Sequence, residues 1–374
     1  MIDYYGNRHN ETFIYKRVAW SNWQEHESYG FITSGSIEMS TDSDLVITGS
    51  FSFEGFDIPD TKDLLRIYYS FTDDHGESVT LPLATLFTSY SGLGYMDTIQ
   101  GLQASGSLNG SSVLSVLQDK KYGAPFTVAR NSNAIYKAVT LIKELGLNVE
   151  YTPGAKVLSA DHTFNAGTSF LEIVRWLCSE AGYSMPYPDP MGTVRIQPYD
   201  QTERRDDAAV FVNDENSIMY PEIETANDWQ QTPNVVRLLY NTDQACIAAE
   251  AKNISGSRAS LDARGGREQT YFEEIGELDD NADKRAQLAD RAESTLRELS
   301  CDVEYVTMKH AYIPLYPYEP VTIIYSDMEW TGNAENIQIE LSPATVTQTK
   351  IKRTLYDSIE VEKTSSVLRA ERSD

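Results

Sequence analysis

Five histidines (His9, His26, His75, His162 and His310) and three cysteines (Cys178, Cys246 and Cys301) are the side chains of this 374-residue sequence best suited to catalysis or metal binding. Imidazole serves near neutral pH as base, acid or ligand, and a thiolate serves as nucleophile or ligand, but each needs partners close at hand. No two of the histidines are near each other in sequence. HExxH, CxxC, the phosphate-binding GxxxxGK[ST] and GxGxxG are all missing. Triads assemble from distant residues, so spacing alone does not settle the matter. The expectation is histidines of core or surface, with no catalytic, cofactor-binding or metal-ligating residue and no cofactor.

Four weaker patterns remain, three of them built on carboxylates. Asp73-Asp74-His75-Gly76-Glu77 has the composition of a metal loop and equally of a hairpin turn, and the turn is expected. Asp279-x-Asn281-x-Asp283 imitates the start of a calcium loop, but Lys284 stands where that loop needs Gly and Asp290 where it needs Glu. A capped helix start explains the same acids. Glu25 and Glu27 beside Trp20 and Trp23 would suit a glycosidase with a sugar platform. With 56 acids in the chain, however, some fall beside tryptophan by composition alone. Arg264-Gly265-Gly266-Arg267 could hold an anion on its backbone amides, or serve as a loop between strand and helix, which is the expectation.

The elements around these residues are more informative. Ser169 to Ala181 reads as one amphipathic helix: Ser169 and Glu172 have capping-box spacing, Phe170, Ile173, Val174, Leu177 and Cys178 recur at helical period, and Gly182 stops it. Cys178 on that apolar face reads as a core thiol. A Pro-Asp-Pro-Met-Gly turn and a strand from Thr193 to Gln197 follow. Upstream, Gly35 to Ser40, Leu45 to Phe53, Leu65 to Phe71, Val79 to Thr88 and Met96 to Ala104 read as strands, with a break at Ser91 to Gly94. Ser111 to Lys121 and Asn133 to Leu145 read as helices. Residues 200 to 232 read as a connection. A second β region runs from Asn234 to about Ile254, then Val303 to Tyr312, Val321 to Tyr325, Ile337 to Leu341 and Val346 to Leu355. Between its halves a helix spans about Asn281 to Leu299, capped by Asp279 or Asp280, with Ala282, Ala286, Ala289, Leu296 and Leu299 on its stripe.

The expected class is therefore mixed α+β: two antiparallel β-barrels with helical or α+β inserts. Residues 1–110 form a first β-barrel domain and 111–205 an α+β middle domain. Residues 206–256 and 301–356 form a discontinuous second barrel, 257–300 a loop-helix insert, and 357–374 a C-terminal tail. The formal charge of -25 argues against phosphate or an anionic membrane surface as a ligand. The 23 tyrosines suit strands and interfaces that are dry on one side and wet on the other. No apolar run resembles a signal peptide or a membrane span, and three widely spaced cysteines do not make a disulfide framework. Synthesis and folding in a reducing cytoplasm are expected.

The order of these parts resembles the tail-hub, or baseplate-hub, proteins of tailed bacteriophages, a family that includes the late control D proteins and the first half of type VI secretion spike proteins. The resemblance lies in the helix and strand from Gly167 to Tyr199, in Asn234 to Tyr240, in the Arg264 to Arg267 loop with the helix to Leu299, and in His310 to Val321. It implies two barrels similar to the tail-tube subunit. It also implies a homotrimer whose six quasi-equivalent barrels adapt a six-fold tube to a three-fold tip and line the DNA channel. The implied partners are a tail-tube or distal-tail ring, tip, spike or fibre proteins and the C-terminus of the tape-measure protein. DNA would pass through the lumen without specific binding, and no membrane anchor is expected. The implied place is the distal end of a virion tail, after synthesis in the host cytoplasm, and the chain would be no enzyme. A tail-tip cell-wall hydrolase and a receptor- or carbohydrate-binding tip module are the alternatives.

Overall fold

Alternating apolar and polar residues make most of this chain β-sheet. The computed structural model describes residues 9–28, 31–56, 62–73, 76–198, 209–214, 217–227, 232–241, 246–275, 283–300, 302–342, 345–355 and 359–368. Two compact units emerge, one of Met1–Ile223 with Thr307–Ile351 and the other of Glu224–Val306 with Lys352–Asp374.

The first unit opens with β1 (His9–Val18), β2 (Glu25–Ser28), β3 (Ile32–Ser40), β4 (Ile47–Gly55), β5 (Leu64–Thr72), β6 (Ser78–Thr98) and β7 (Gly101–Ser112). All neighbouring pairs among them are antiparallel, in the order β3-β4-β7-β6-β5-β1-β2. Along β4, Ile47, Phe51 and Phe53 are buried at period two. The facing glycines Gly49 and Gly110 leave room for the Phe51 ring and Leu86, since a Cβ at either position would come within 2.7 Å of one of them. Strand β5 differs, with Leu64, Leu65, Arg66, Ile67, Tyr69 and Phe71 all buried. The expected break at Ser91 to Gly94 lies inside β6, and the expected strand Met96 to Ala104 is folded in two, its ends in β6 and β7 and its middle the turn at Ile99 and Gln100. Glycines 92 and 94 misled because they sit in a strand that needs little side-chain packing there.

A helical region follows: α1 (Leu114–Asp119), β8 (Phe126–Val128), α2 (Ala134–Glu144), β9 (Val149–Tyr151), β10 (His162–Phe164), α3 (Phe170–Glu180), β11 (Tyr187–Pro188) and β12 (Val194–Ile196). Helix α1 is shorter than expected because Ser111 and Ser112 belong to β7. Asn133 caps α2 by accepting from the Tyr136 amide at 2.8 Å. Ser169 and Glu172 form the expected capping box on α3. The five residues expected on the apolar stripe of α3 are all buried, against Ile135, Ala138, Val139 and Ile142 of the adjoining α2.

The remaining elements are β13 (Ala209–Val212), β14 (Met219–Asn227), β15 (Val235–Asn241), β16 (Cys246–Ser255), β17 (Thr270–Ile275), α4 (Lys284–Leu299), β18 (Asp302–Ala311), β19 (Pro320–Tyr325), β20 (Met328–Glu340), β21 (Val346–Leu355) and β22 (Glu360–Leu368). Residues 200–232, expected as a connection, contain the strands β13 and β14. The large sheet has 13 strands in the path β14-β18-β21-β20-β3-β4-β7-β6-β5-β1-β2, with β19 on β20 and β13 on β19. Among the described residues these strands close no barrel.

In the second unit, β17-β15-β16-β22 form a four-stranded sheet covered by α4. Leu288, Ala289, Ala292 and Leu296 of the helix pack on Val236, Leu238, Ala249, Ala251 and Ile275. The stripe differs from the expected one: Ala286 faces solvent, while Leu288 and Ala292 are buried. Asp283 caps α4 at 3.0 Å from the Arg285 amide; Asp279, Asp280 and Ala282 lie outside the described residues. An ion network, Arg237 with Glu250 (2.5 Å) and Glu268 (3.1 Å), and Lys252 with Glu268 (3.0 Å), ties β15, β16 and the chain ahead of β17 together.

Candidate assembly site

A buried polar cluster of the first unit surrounds Arg66, a charge set within the apolar run of β5 and only 4% exposed. Its guanidinium donates from Nε to the Thr85 hydroxyl (2.8 Å), from Nη1 to Glu25 (2.7 Å) and from Nη2 to the Met191 carbonyl (2.9 Å). Thr85 in turn donates to the Pro190 carbonyl at 2.7 Å. The Pro188 to Gly192 turn is thereby fastened to β5 and β6. Its own shape is fixed by the Asp189 carboxylate, which accepts from the Met191 and Thr193 amides at 3.0 and 2.8 Å. Gly192 has φ +87, and a Cβ there would lie 2.7 Å from the Trp23 ring.

Glu25 also accepts from the Tyr68 hydroxyl. Burial alone would raise its carboxyl, but hydrogen bonds from Tyr68 and Arg66 and the charges of Arg66 and Lys16 outweigh that and hold it below its ordinary value. A glycosidase acid needs the opposite shift. Trp20 packs on Phe87 (5.0 Å) and Trp23 (5.6 Å), an aromatic corner rather than an open platform. The side chain of Glu27 lies outside the described residues.

Beside this junction lies a cleft of about 380 Å3 bounded by Tyr187, Tyr316, Tyr318, Pro190, Arg195 and Glu319, among others. The Tyr187 and Tyr318 rings stand 5.7 Å apart, and Tyr318 holds a left-handed φ of +70. Arg195 is neutralised by Glu150 (2.7 Å) and Asp189 (3.0 Å), and Glu319 accepts from the Tyr316 amide at 2.9 Å. Stacking and hydrogen bonding are what such a surface can do.

The sequence candidates fall elsewhere. The His310 ring is buried, with Nδ1 donating to the Ala311 carbonyl (2.7 Å) and Nε2 hydrogen-bonded to the Thr349 hydroxyl (2.8 Å). His162 stacks on Trp176 at 4.0 Å, and His9 and His26 are exposed. Asp73 accepts from the Glu77 amide at 2.9 Å, as a hairpin turn requires; Asp74 and His75 lie outside the described residues, as does Cys301. Burial pushes the Cys178 thiol up to about 12. In the Arg264 to Arg267 loop all four amides donate to nearby carbonyls, which leaves none turned to an anion. Among the described residues no group of three His, Cys, Asp or Glu side chains is placed to hold a metal, and no helix is long and apolar enough to cross a membrane. Sequence reasoning passed over Arg66; the signal was a single charge in Leu-Leu-Arg-Ile-Tyr-Tyr.

By sequence, no protein-family model and no curated protein matches the chain. Structure is more informative. A tail protein from Neisseria meningitidis MC58 superposes with a TM-score of 0.62 at 12% identity, over 91% of this chain and 97% of that one. The 43 kDa tail protein of prophage MuSo2 from Shewanella oneidensis gives 0.60 at 12% identity, over 91% and 98%. A chain of the Francisella PdpA-VgrG complex gives 0.52 at 9% identity, over 95% of this chain and 59% of that one. The structural neighbours of this chain are therefore tail proteins, one of them from a prophage, and a PdpA-VgrG complex, and what it shares with them is the fold.

Proposed function

We propose that the protein is a non-enzymatic structural hub at the distal end of a phage or phage-like tail. The observation that carries this is the fold likeness along nearly the whole length of two tail proteins, 97% and 98% of their chains. The site chemistry agrees: the buried charges of the first unit fasten one segment to another, and the carboxylates nearest the aromatic corner and the cleft are engaged by arginine or by backbone amides.

In this proposal three copies form a ring, the β-layers of each chain occupy two of six quasi-equivalent barrel positions, and a six-fold tube meets a three-fold tip. The neighbours are a tail-tube or distal-tail ring on one side and tip, spike or fibre proteins on the other, with the tape-measure C-terminus and then DNA in the lumen. A formal charge of -25 per chain suits a passage that does not hold DNA. Native mass spectrometry of the assembly released from particles tests the ring: three times 42.0 kDa is expected, and a monomer or dimer within intact tails refutes it.

A further inference from the structure

The cleft beside the Arg66 junction lies wholly within the first unit. Tyr187, Tyr316 and Tyr318 with Pro190, Pro198 and Pro317 form its apolar wall. That wall is held from behind. The Tyr318 amide donates to the Ala334 carbonyl at 2.9 Å, the Ala334 amide to the Glu319 carbonyl at 2.8 Å, and the Ser184 hydroxyl to the Gln197 carbonyl at 3.1 Å. A site shaped in advance spares a ligand the cost of ordering it.

Its polar rim is better supplied with donors than with acceptors. Asp189 takes the Met191 and Thr193 amides on Oδ1, and Arg195 Nε (3.3 Å) and Nη2 (3.0 Å) on Oδ2. Those bonds fill the roughly four lone-pair sites of a carboxylate. Gln197 Oε1 accepts from the Tyr187 hydroxyl at 3.3 Å, and Glu319 accepts from the Tyr316 amide. A ligand covered in hydroxyls therefore meets acceptors already engaged. Arg195, by contrast, carries more N–H groups than it places on Asp189 and Glu150. The matching ligand offers carbonyls and few N–H groups, which is the character of a proline-rich chain. Ring geometry agrees. Tyr187 and Tyr318 pack on each other at 5.7 Å with a tilt of 49°. A flat ring sandwiched between them would need about 7 Å, twice the carbon contact distance. A ligand must instead lie along the pair, as a polyproline II rod does, with about 9 Å per turn. Around Arg195 stand three carboxylates, Glu150, Asp189 and Glu319, in a chain of formal charge -25. Anionic ligands are repelled there and a cationic flank is attracted.

We infer that this cleft receives a proline-rich segment of another protein, in polyproline II conformation and with lysine or arginine beside its prolines. An aromatic-lined groove taking a preformed, low-entropy helix is a known mode of peptide recognition. The inference stands apart from the trimeric ring: the cleft is complete within one chain.

Fluorescence anisotropy on the full chain tests it, using a labelled peptide with a run of prolines flanked by arginines, at about 0.15 M salt. Saturable binding is expected, weakened at least about ten-fold by Tyr187→Ala, as loss of an aromatic anchor does. Met191 lines the same cleft and its side chain is exposed. Met191→Lys should therefore keep the parental melting temperature, place a cation at the rim and weaken binding several-fold. Should Tyr187→Ala lower the melting temperature, Met191→Lys decides. A peptide of equal charge with glycine and serine in place of the prolines should bind more weakly. Equal binding of the two peptides, absence of saturable binding, or unchanged affinity in the variants overturns the inference. Binding of a labelled chitin oligomer in place of the peptide, lost in Tyr187→Ala, overturns it too and gives the cleft to a sugar. The mass of the assembly in particles bears on the hub alone.

Discussion

Replacing Arg66 by Met keeps most of the side-chain volume in β5 and removes the charge that fastens the Pro188 to Gly192 turn. Three hydrogen bonds go at once: to Thr85, to Glu25 and to the Met191 carbonyl. Thr85 keeps its bond to Pro190 and loses only an accepted one. Glu25 is about a third exposed and keeps Tyr68, so water recovers part of its solvation. Breaking a fully buried ion pair costs about 3–5 kcal/mol, and this one is discounted for the exposure of Glu25 to about 2–4 kcal/mol. Urea unfolding followed by tryptophan fluorescence is the assay, since Trp23 lies over Gly192 and Trp20 packs beside it. The transition that reports the first unit should move to lower urea with its slope unchanged. A loss below about 1 kcal/mol, within the range of ordinary surface substitutions and small perturbations, would show that the turn is held by packing and that Arg66 is incidental.

Glu25→Gln should weaken the same transition at neutral pH, and the sign of its pH dependence follows from the lowered Glu25 carboxyl. Its contribution is fully present above the unfolded value of about 4.3 and is lost as pH falls through the lower folded value, so the wild-type advantage should start to shrink in acid near the unfolded value and vanish only below the folded one. Leu177→Ala, fully buried on α3, should cost about 2–5 kcal/mol in the same assay, and an unchanged melting temperature would place that stripe at the surface. Ser169→Ala removes half of the capping box and should cost about 1 kcal/mol by urea unfolding. With its thiol pushed up to about 12, Cys178 should resist alkylation in the native protein while half-buried Cys246 reacts, as peptide mass mapping would show. The purified protein should show no tight duplex-DNA binding at about 0.15 M salt by fluorescence anisotropy, and tight binding would sink the conduit proposal.

How much the residues disclosed depended on where each element finds its stability. Helices α2 and α3 were legible almost to the residue because cap, stripe and stop agree within one segment: Asn133, Ser169 and Glu172 act on their own backbone. Helix α4 was legible in place but not in phase. Its alanines lie all around it, and only the sheet beneath selects Leu288 and Ala292 over Ala286. Strands β13, β17 and β22 escaped notice because their partners, not their own patterns, make them strands; Glu-Val-Glu-Lys-Thr-Ser-Ser-Val-Leu becomes β22 by pairing along β16. The Arg66 junction was hidden for a related reason. Glu25, Thr85 and the Met191 carbonyl are up to 125 residues from the arginine they engage, and a lone charge in an apolar strand announces a partner without naming it.

The β6–β7 hairpin shows the other side of that dependence. Ser91 to Gly94 read as a break and Met96 to Ala104 as a strand, and the turn at Ile99 and Gln100 was misplaced for that reason. Such a segment leaves apolar side chains facing water. The fold is kept at 12% identity with two tail proteins. A ring requires each chain to hold its surfaces in place, and many sequences can satisfy strand alternation and a few internal fastenings such as Arg66. Where catalysis would fix particular side chains in a cleft, assembly fixes the placement of edges and faces. The most specific residues of such a protein are then those that look least finished in isolation.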